Sequence, residues 1–252
     1  MIERQDHGPV AVLRLAHGKA NALDRELLEA LEAACEELER SQVHAVVLTG
    51  AGPIFSAGVD LLRVVEGGAD YLGSFLPVLD RAVRRFFALP LPVVAAVNGH
   101  AIAGGAVLTA ACDYRLMAAG SGRIGVPELL VGVPLPVAPL EVVRFALPPQ
   151  HLQEALYRGR TDPPEEALRR GWIDEVTEPE RLLPRALEVA GELARLPQEA
   201  FRLTKHQLRR PALERMERHG PEVEPAVLAL WTAEPTRAWI RAYVERTLGK
   251  KG

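Results

Sequence analysis

The segment NGHAIAGGAVL, residues 98–108, decides the fold predicted for this chain. It follows the apolar run LPVVAAV at residues 91–97, which is typical of a buried strand, and it places Gly104 beside Gly105 where a helix is predicted to begin. Glycine lets the backbone approach a neighbour or a ligand closely. The first N–H groups of a helix lack partners and carry partial positive charge. The segment therefore suits either a tight turn packed on another strand or a place for an oxygen that gains negative charge.

A second turn of small residues, FSAGVD at residues 55–60, follows another buried-strand pattern, HAVVLTG at residues 44–50. Two such turns at the ends of two strands can direct two backbone N–H groups at one point. That arrangement is the usual form of an oxyanion hole, in which each donor is worth roughly two to three powers of ten in rate. The pair of turns therefore favours a site for developing negative charge.

The composition limits the class of function. The 252 residues are 48% hydrophobic and 25% charged, which is ordinary for one large domain or a main domain with a smaller one. The net charge of -3 argues against a nucleic-acid partner, and two cysteines are too few for a disulfide framework or a metal cluster. We find no signal-peptide pattern and no apolar run long enough to span a membrane. We therefore expect a cytoplasmic protein that binds no metal, no nucleic acid and no membrane.

Strand patterns alternate with helix patterns, which predicts an α/β fold with crossover units. In chain order the predicted elements are two extended pieces around the turn His7-Gly8-Pro9, a helix over 25–40 capped by Asp24, a strand over 44–50, a loop over 51–60, a helix over 71–88, a strand over 92–97, a helix through Ala111 and a strand over 114–118. From Pro136 the pattern is helical, with Gly159 and Gly171 as helix stops. We expect a core over residues 1–190 and a C-terminal helical region over 191–252. That region must pack on the core or on another subunit, and we expect it to take part in oligomer packing.

Three motifs together resemble the crotonase family, the enoyl-CoA hydratase/isomerase superfamily. They are FSAGVDL at 55–61, NGHAIAGGAVLTAACDYRL at 98–116 and IGVPELLVGVP at 124–134. KANALD at 19–24, LPLPVVAAVNG at 89–99 and RAYVERTLGKK at 241–251 support the resemblance, which covers nearly the whole chain in the right order. It implies a spiral of ββα units with a C-terminal helical region, assembled as a trimer or a dimer of trimers.

The resemblance also implies a shared chemistry. In this family two backbone N–H groups hold the carbonyl oxygen of an acyl-CoA thioester, and the reaction passes through an enolate-like intermediate. By motif position the donors here are the N–H groups of Val59 and Gly104. Coenzyme A enters as part of the substrate, so no further cofactor is expected.

Residues expected along coenzyme A follow from the same motifs. The Ala57 backbone is expected to meet the adenine, and Lys19, Ala20 and Ala22 are expected along the CoA tail. Lys19 either meets a phosphate or remains solvated. Leu62 stands where some relatives place a CoA-contacting lysine, and the neighbouring Arg63 is an alternative contact.

Two positions indicate which reaction is expected. Family hydratases use two glutamates, but the first position here is Val107, which can neither hold a water nor move a proton. The second position is Glu128, in apolar surroundings that favour a raised pKa. One carboxylate and an oxyanion hole suffice to move the double bond of a 3-enoyl-CoA to the 2-enoyl-CoA. His100 and Val107 are expected in the substrate pocket, with a structural or solvent-facing role as the alternative for His100.

Two other functions stay open. One is a hydratase of fatty-acid oxidation whose water is held by another group, such as His100. The other is a non-catalytic member that binds acyl-CoA. A dienoyl-CoA isomerase would need further acidic residues in the pocket, and we expect Glu141, the nearest, to face elsewhere. We expect Asp60 to hold its loop and Asp113 to be a structural hydrogen-bonding residue.

Overall fold

The computed structural model describes residues 1–248. Its strands are β1 (Ile2–His7), β2 (Val10–Leu15), β3 (Ala45–Gly50), β4 (Ile54–Ser56), β5 (Val93–Val97), β6 (His100–Ile102), β7 (Tyr114–Ala118), β8 (Ile124–Gly125), β9 (Thr161–Asp162) and β10 (Glu175–Thr177). Its α-helices are α1 (Arg25–Arg40), α2 (Leu61–Ala88), α3 (Gly104–Ala110), α4 (Glu128–Val131), α5 (Val137–Ala146), α6 (Pro149–Arg158), α7 (Pro164–Arg170), α8 (Leu182–Ala194), α9 (Gln198–Thr232) and α10 (Glu234–Leu248).

A six-stranded sheet forms the centre of the fold, in the order β1-β2-β3-β5-β7-β10. β1 and β2 pair antiparallel, and the other neighbours pair parallel. Every residue of β3 and of β5 is buried, as expected for parallel strands that are covered on both faces. The α/β prediction is therefore confirmed.

A second sheet of short strands, in the order β4-β6-β8-β9, lies beside the first. Along the chain a strand of the large sheet is followed by a strand of the small sheet and then by a helix, as in β3-β4-α2 and β5-β6-α3. These are the ββα units that the family resemblance implies. The predictions of a continuous loop over 51–60 and of a plain turn after 97 were wrong, because β4 and β6 lie there. Strands of three residues are too short to show an alternating pattern.

The helix predictions differ in their accuracy. α1 matches the prediction, and the N–H of Leu27 donates to Oδ1 of Asp24 at 2.8 Å. α2 begins at Leu61 rather than at residue 71, since Asp60 accepts hydrogen bonds from the N–H groups of the next helical turn. Gly68, at φ 58°, kinks α2 and interrupts its pattern, which explains the late predicted start. Gly159 and Gly171 end their helices in left-handed conformation, as predicted.

The C-terminal helices pack on their own chain. Trp231 of α9 and Ile240 and Val244 of α10 join the hydrophobic core that also contains residues of β2, β3 and β5. The boundary at residue 190 and the role in oligomer packing stay predictions, and residues 249–252, including the end of the last motif, lie outside the described residues. None of the helices formed by residues 1–248 combines the length and the apolar character that crossing a bilayer requires.

A buried ion cluster ties α9 to the large sheet. Asp113 accepts hydrogen bonds from Lys205 Nζ and from Arg209, both at 2.6 Å, and from the N–H of Val93 at 2.8 Å. Lys205 also donates to the Leu91 carbonyl at 2.7 Å. Burial lowers the pKa of Lys205 to about 8, against the opposing effect of Asp113. The carboxylate therefore compensates two buried cations, in the structural role predicted for it.

We expect Asp113→Asn to lower the free energy of unfolding by roughly 3–5 kcal/mol, because it leaves two buried cations without a counter-charge. Urea unfolding at pH 7, followed by far-UV circular dichroism, measures the change. Asp6→Asn is the matched control, because Asp6 pairs with Arg4 on the surface and exposed pairs are worth about 0–1 kcal/mol. Equal unfolding midpoints for the two variants would contradict the assignment.

Candidate active site

The two glycine turns are in direct contact. A Cβ atom built on Gly58 would lie 2.6 Å from the carbonyl oxygen of Ile102 and 2.9 Å from the backbone nitrogen of Gly104. One built on Gly105 would overlap the carbonyl oxygen of Ser56. Gly58 also adopts φ 79°, which side chains disfavour. Glycine is therefore required on both sides of this contact, where the two backbones meet.

Asn21 holds the FSAGVD turn, residues 55–60, in place. Its buried side-chain amide donates to the carbonyls of Ala51, Ile54 and Phe55 at 2.9–3.2 Å, and its own backbone adopts φ 48°. The hydroxyl of Ser56 donates to the Asn21 carbonyl at 2.7 Å. The segment KANALD thereby acts as a brace for FSAGVD, a role that its position in the sequence does not reveal.

The N–H of Val59 is unused by the fold. A parallel bridge joins this residue to Leu23, in which Leu23 N–H donates to Gly58 O at 2.7 Å and Asp60 N–H donates to Leu23 O at 3.0 Å. Because the bridge uses the groups on either side of Val59, the N–H of Val59 itself points away from Leu23. Within residues 1–248 no acceptor is bonded to it.

The N–H of Gly104 is the first of α3 and also has no acceptor among the described residues. Ala103 before it adopts φ 54° and ψ -120°, a conformation that is rare for a residue with a side chain and costs on the order of 1–3 kcal/mol. The N–H of Ala103 donates to Gly125 O at 2.8 Å, which holds the strained residue in place. Gly104 and Val59 therefore present free donors at two turns that touch each other.

Glu128 is a buried carboxylate that pairs with no cation of the described residues. It begins α4, it is 9% exposed, and its Oε2 atom is buried with no hydrogen bond within the described part of the chain. Burial raises the pKa of Glu128 to about 8, opposed only by a hydrogen bond to its own backbone. The similarly buried Glu141 is paired with Arg215 at 2.6 Å and with Arg144 at 2.9 Å. An unpaired buried acid of this kind is a candidate for proton transfer.

One cavity of about 1040 Å³ contacts every predicted site residue. The predicted residues that line it are Lys19, Ala20, Ala22, Ala57, Val59, Leu62, His100, Gly104, Val107 and Glu128. Val107 is buried at the wall, so the cavity has an apolar side chain at the position of the first of the two family glutamates. Arg63 is paired with Glu26 and is absent from the lining, so the alternative that it contacts CoA in place of Leu62 is not supported.

Much of the apolar wall is formed by residues outside the predicted set of site residues. It comes from α2, from the segment before and within α5, and from α9 and α10, and its main residues are Leu79, Val83, Leu135, Pro139, Trp231, Tyr243 and Val244. Trp231 is both a core residue and a lining residue. Helical spacing indicated that these side chains share an apolar face but could not indicate which cavity that face would line.

Among residues 1–248, no group of three or more His, Cys, Asp or Glu is arranged to hold a metal ion.

Solved structures of similar shape carry both activities in their names. The crystal structure of human mitochondrial delta3-delta2-enoyl-CoA isomerase matches with a TM-score of 0.95 at 26% identity, covering 100% of this chain and 99% of that one. An enoyl-CoA hydratase/isomerase family protein from Psudomonas syringae matches with a TM-score of 0.84 at 29% identity, covering 90% and 97%.

Sequence relatives divide in the same way. A putative enoyl-CoA hydratase of Thermus thermophilus is 36% identical over 208 residues, covering 81% of each chain. Mitochondrial enoyl-CoA delta isomerase 1 of Rattus norvegicus is 26% identical over 255 residues, covering 100% of this chain and 88% of the relative. A family model described as enoyl-CoA hydratase/isomerase matches residues 5–249. These matches, together with the fold and the paired turns, show that the chain belongs to the enoyl-CoA hydratase/isomerase family.

Proposed function

We propose that this protein is an enoyl-CoA isomerase that converts a 3-enoyl-CoA thioester into the 2-enoyl-CoA. The observation that carries the proposal is the buried carboxyl of Glu128, whose Oε2 atom has no partner among residues 1–248 and which shares a cavity with two free backbone donors and with Val107. A one-base reaction needs a carboxylate and a site for the enolate oxygen, and it needs no second acid.

The mechanism assigns one role to each group. The thioester oxygen accepts hydrogen bonds from the N–H groups of Val59 and Gly104, which stabilise the negative charge as it forms. The Glu128 carboxylate takes a proton from C2, so that the C2–H bond breaks and the enolate forms. The same carboxyl then gives a proton to C4: the electron pair of the C3–C4 double bond forms the new C4–H bond, the C1–C2 pair of the enolate moves to form the C2–C3 double bond, and the thioester carbonyl re-forms. Burial of Glu128 raises its pKa, which makes the carboxylate a stronger base.

Contacts to coenzyme A follow the same proposal. Lys19, Ala20, Ala22, Ala57 and Leu62 line the cavity and are proposed to lie along the CoA moiety, with Lys19 exposed and available to a phosphate. The apolar wall is proposed to take the acyl chain. The reaction then requires no cofactor beyond the coenzyme A of its substrate.

A hydratase is the alternative, since relatives of both names are similar to this chain. His100 lines the cavity and is the polar group proposed to hold a water in that case. A non-catalytic acyl-CoA-binding protein would have no need of an unpaired buried carboxylate, which costs stability. A cytoplasmic trimer or dimer of trimers stays a proposal from composition and resemblance, and the rat and human isomerases are named as mitochondrial proteins.

We expect Glu128→Gln to lower kcat on a 3-enoyl-CoA by roughly 10²–10⁴-fold with a nearly unchanged KM, because the amide cannot carry the proton. A coupled assay of 2-enoyl-CoA formation measures the loss. Glu66→Gln is the matched control, because Glu66 is exposed on α2 and is absent from the cavity lining. Full activity in the Glu128 variant would exclude the one-base mechanism.

We expect Val107→Glu to raise hydration of a 2-enoyl-CoA above the wild-type background, because it restores a carboxyl at the first family glutamate position in the cavity that contains Glu128. Val107→Gln has the same size without a carboxyl and serves as the control. Absorbance of the conjugated thioester follows water addition. Strong hydration by the unaltered protein would instead support the hydratase alternative, with Val107→Glu adding little.

We expect kcat/KM for isomerisation to rise with pH and to level off above about pH 8, because Glu128 must be ionised to accept a proton and burial raises its pKa to about 8. Below the plateau the rate falls about tenfold per pH unit. A profile from pH 5.5 to 9.5, measured with a 3-enoyl-CoA, tests this. A plateau that already begins near pH 5 would contradict the role of burial.

Protein stability provides a second measure of the same titration. Because the folded-state pKa of Glu128 is raised from 4.5 to about 8, its contribution to stability is present below pH 4.5 and is lost as the pH rises through 8. The variant Glu128→Gln lacks this loss. Its advantage in urea midpoint over the wild type should therefore be absent at pH 4 and largest above pH 8.

A further inference from the structure

Trp239 of α10 contacts the short helix that begins with Glu128. Its indole N–H donates to the Leu130 carbonyl at 3.1 Å. Its ring lies against Gly132, since a Cβ built on that glycine would be 2.7 Å from the indole Cδ1 and 3.1 Å from Cγ. The side chain is nevertheless 57% exposed, so burial of apolar surface does not by itself account for its place.

α4 is too short to be stable without contacts to its neighbours. It has four residues, and a helix of one turn is unstable alone. Gly132 caps it at φ 89°, and the N–H of Val133 donates to the Glu128 carbonyl at 3.1 Å. The indole therefore packs on the end of the same turn whose first residue is Glu128.

α4 is held from two sides. On one side it meets the end of α6, where a Cβ built on Gly159 would be 2.7 Å from Leu130 Cγ and 3.2 Å from Pro127 Cα. On the other side it meets Trp239, and α10 is itself anchored in the core by Ile240 and Val244. Since the buried Oε2 atom of Glu128 has no hydrogen-bond partner, its position depends on the backbone of α4.

We propose that Trp239 is a positioning residue: through its hydrogen bond to Leu130 and its packing on Gly132 it holds α4 so that the Glu128 carboxylate stays in the cavity and out of water. The consequence for catalysis rests on the proposed isomerase function. α10 then has two roles, because Tyr243 and Val244 form part of the cavity wall while Trp239 fixes the helix that carries the acid.

The test compares Trp239→Phe and Trp239→Ala with the exposed aromatic control Tyr157→Ala on α6. Trp239→Ala removes the hydrogen bond to Leu130 and the packing on Gly132, and it should lower kcat about 10- to 100-fold, because misplacement of a base affects the chemical step. The affinity for a CoA product should stay within about twofold of the wild type. Trp239→Phe keeps a ring on Gly132 and loses one hydrogen bond, so its kcat should fall roughly 2- to 10-fold. Tyr157→Ala should match the wild type.

A second readout does not depend on turnover. Infrared spectra of each protein minus those of its Glu128→Gln counterpart isolate the protonated Glu128 carboxyl, which can be titrated without substrate. We expect the pKa of Glu128 to fall in Trp239→Ala, because water reaches the carboxyl when α4 loosens. All the variants keep the other titratable side chains of the cavity, so the effect of these groups on the pKa of Glu128 is the same in each. They are His17, Lys19, Asp60, His100 and Tyr243.

A folded Trp239→Ala protein with wild-type kcat and an unchanged carboxyl titration would overturn the proposal. If Trp239→Ala does not fold, Trp239→Phe decides it on the same two measurements. If the wild type lacks isomerase activity, the proposed function fails, whereas the infrared titration still supports or overturns the role of Trp239.

Discussion

The contact between Gly58 and the backbone of residues 102–104 is the constraint on which the rest of the site depends. No side chain fits between the two turns, so the strands that precede them must end at the same place and the N–H groups of Val59 and Gly104 are brought to one cavity. The strained backbone of Ala103 and the brace from Asn21 belong to the same arrangement. Local strain persists there because the surrounding hydrogen bonds leave the backbone no alternative.

Buried charge is treated in opposite ways at two places in the molecule. Asp113 accepts hydrogen bonds from three donors and compensates the charges of Lys205 and Arg209. Its charge therefore helps to hold α9 against the sheet. Glu128 has an unpaired oxygen and a pKa raised to about 8 by burial. The first arrangement favours a fixed structure. The second reduces stability at neutral pH, and under the proposed function it provides a base strong enough to take a proton from carbon.

The position of Glu128 depends on contacts between distant parts of the chain. α4 is one turn long, and it is held by Gly159 at the end of α6 and by Trp239 of α10. The same C-terminal helices provide Trp231, Tyr243 and Val244 to the wall of the cavity. The end of the chain therefore shapes a site whose two backbone donors and buried acid lie between residues 59 and 128.

The sequence by itself indicated the family through the resemblance of its motifs and the α/β class through its alternating strand and helix patterns, and the residues that it predicted for the site line one cavity. It also predicted α1 and its Asp24 cap, since helical periodicity and capping act within a few residues. It missed β4 and β6, which are short strands paired with distant partners. It also missed the first part of α2, from Leu61 to the kink at Gly68. Only the tertiary structure decided that Arg63 pairs with Glu26 outside the cavity, that α9 and α10 fold back to line it, and that Trp239 meets the turn of Glu128. Those contacts join residues far apart in the chain, and periodicity reports which face of a helix is apolar but not what that face will meet.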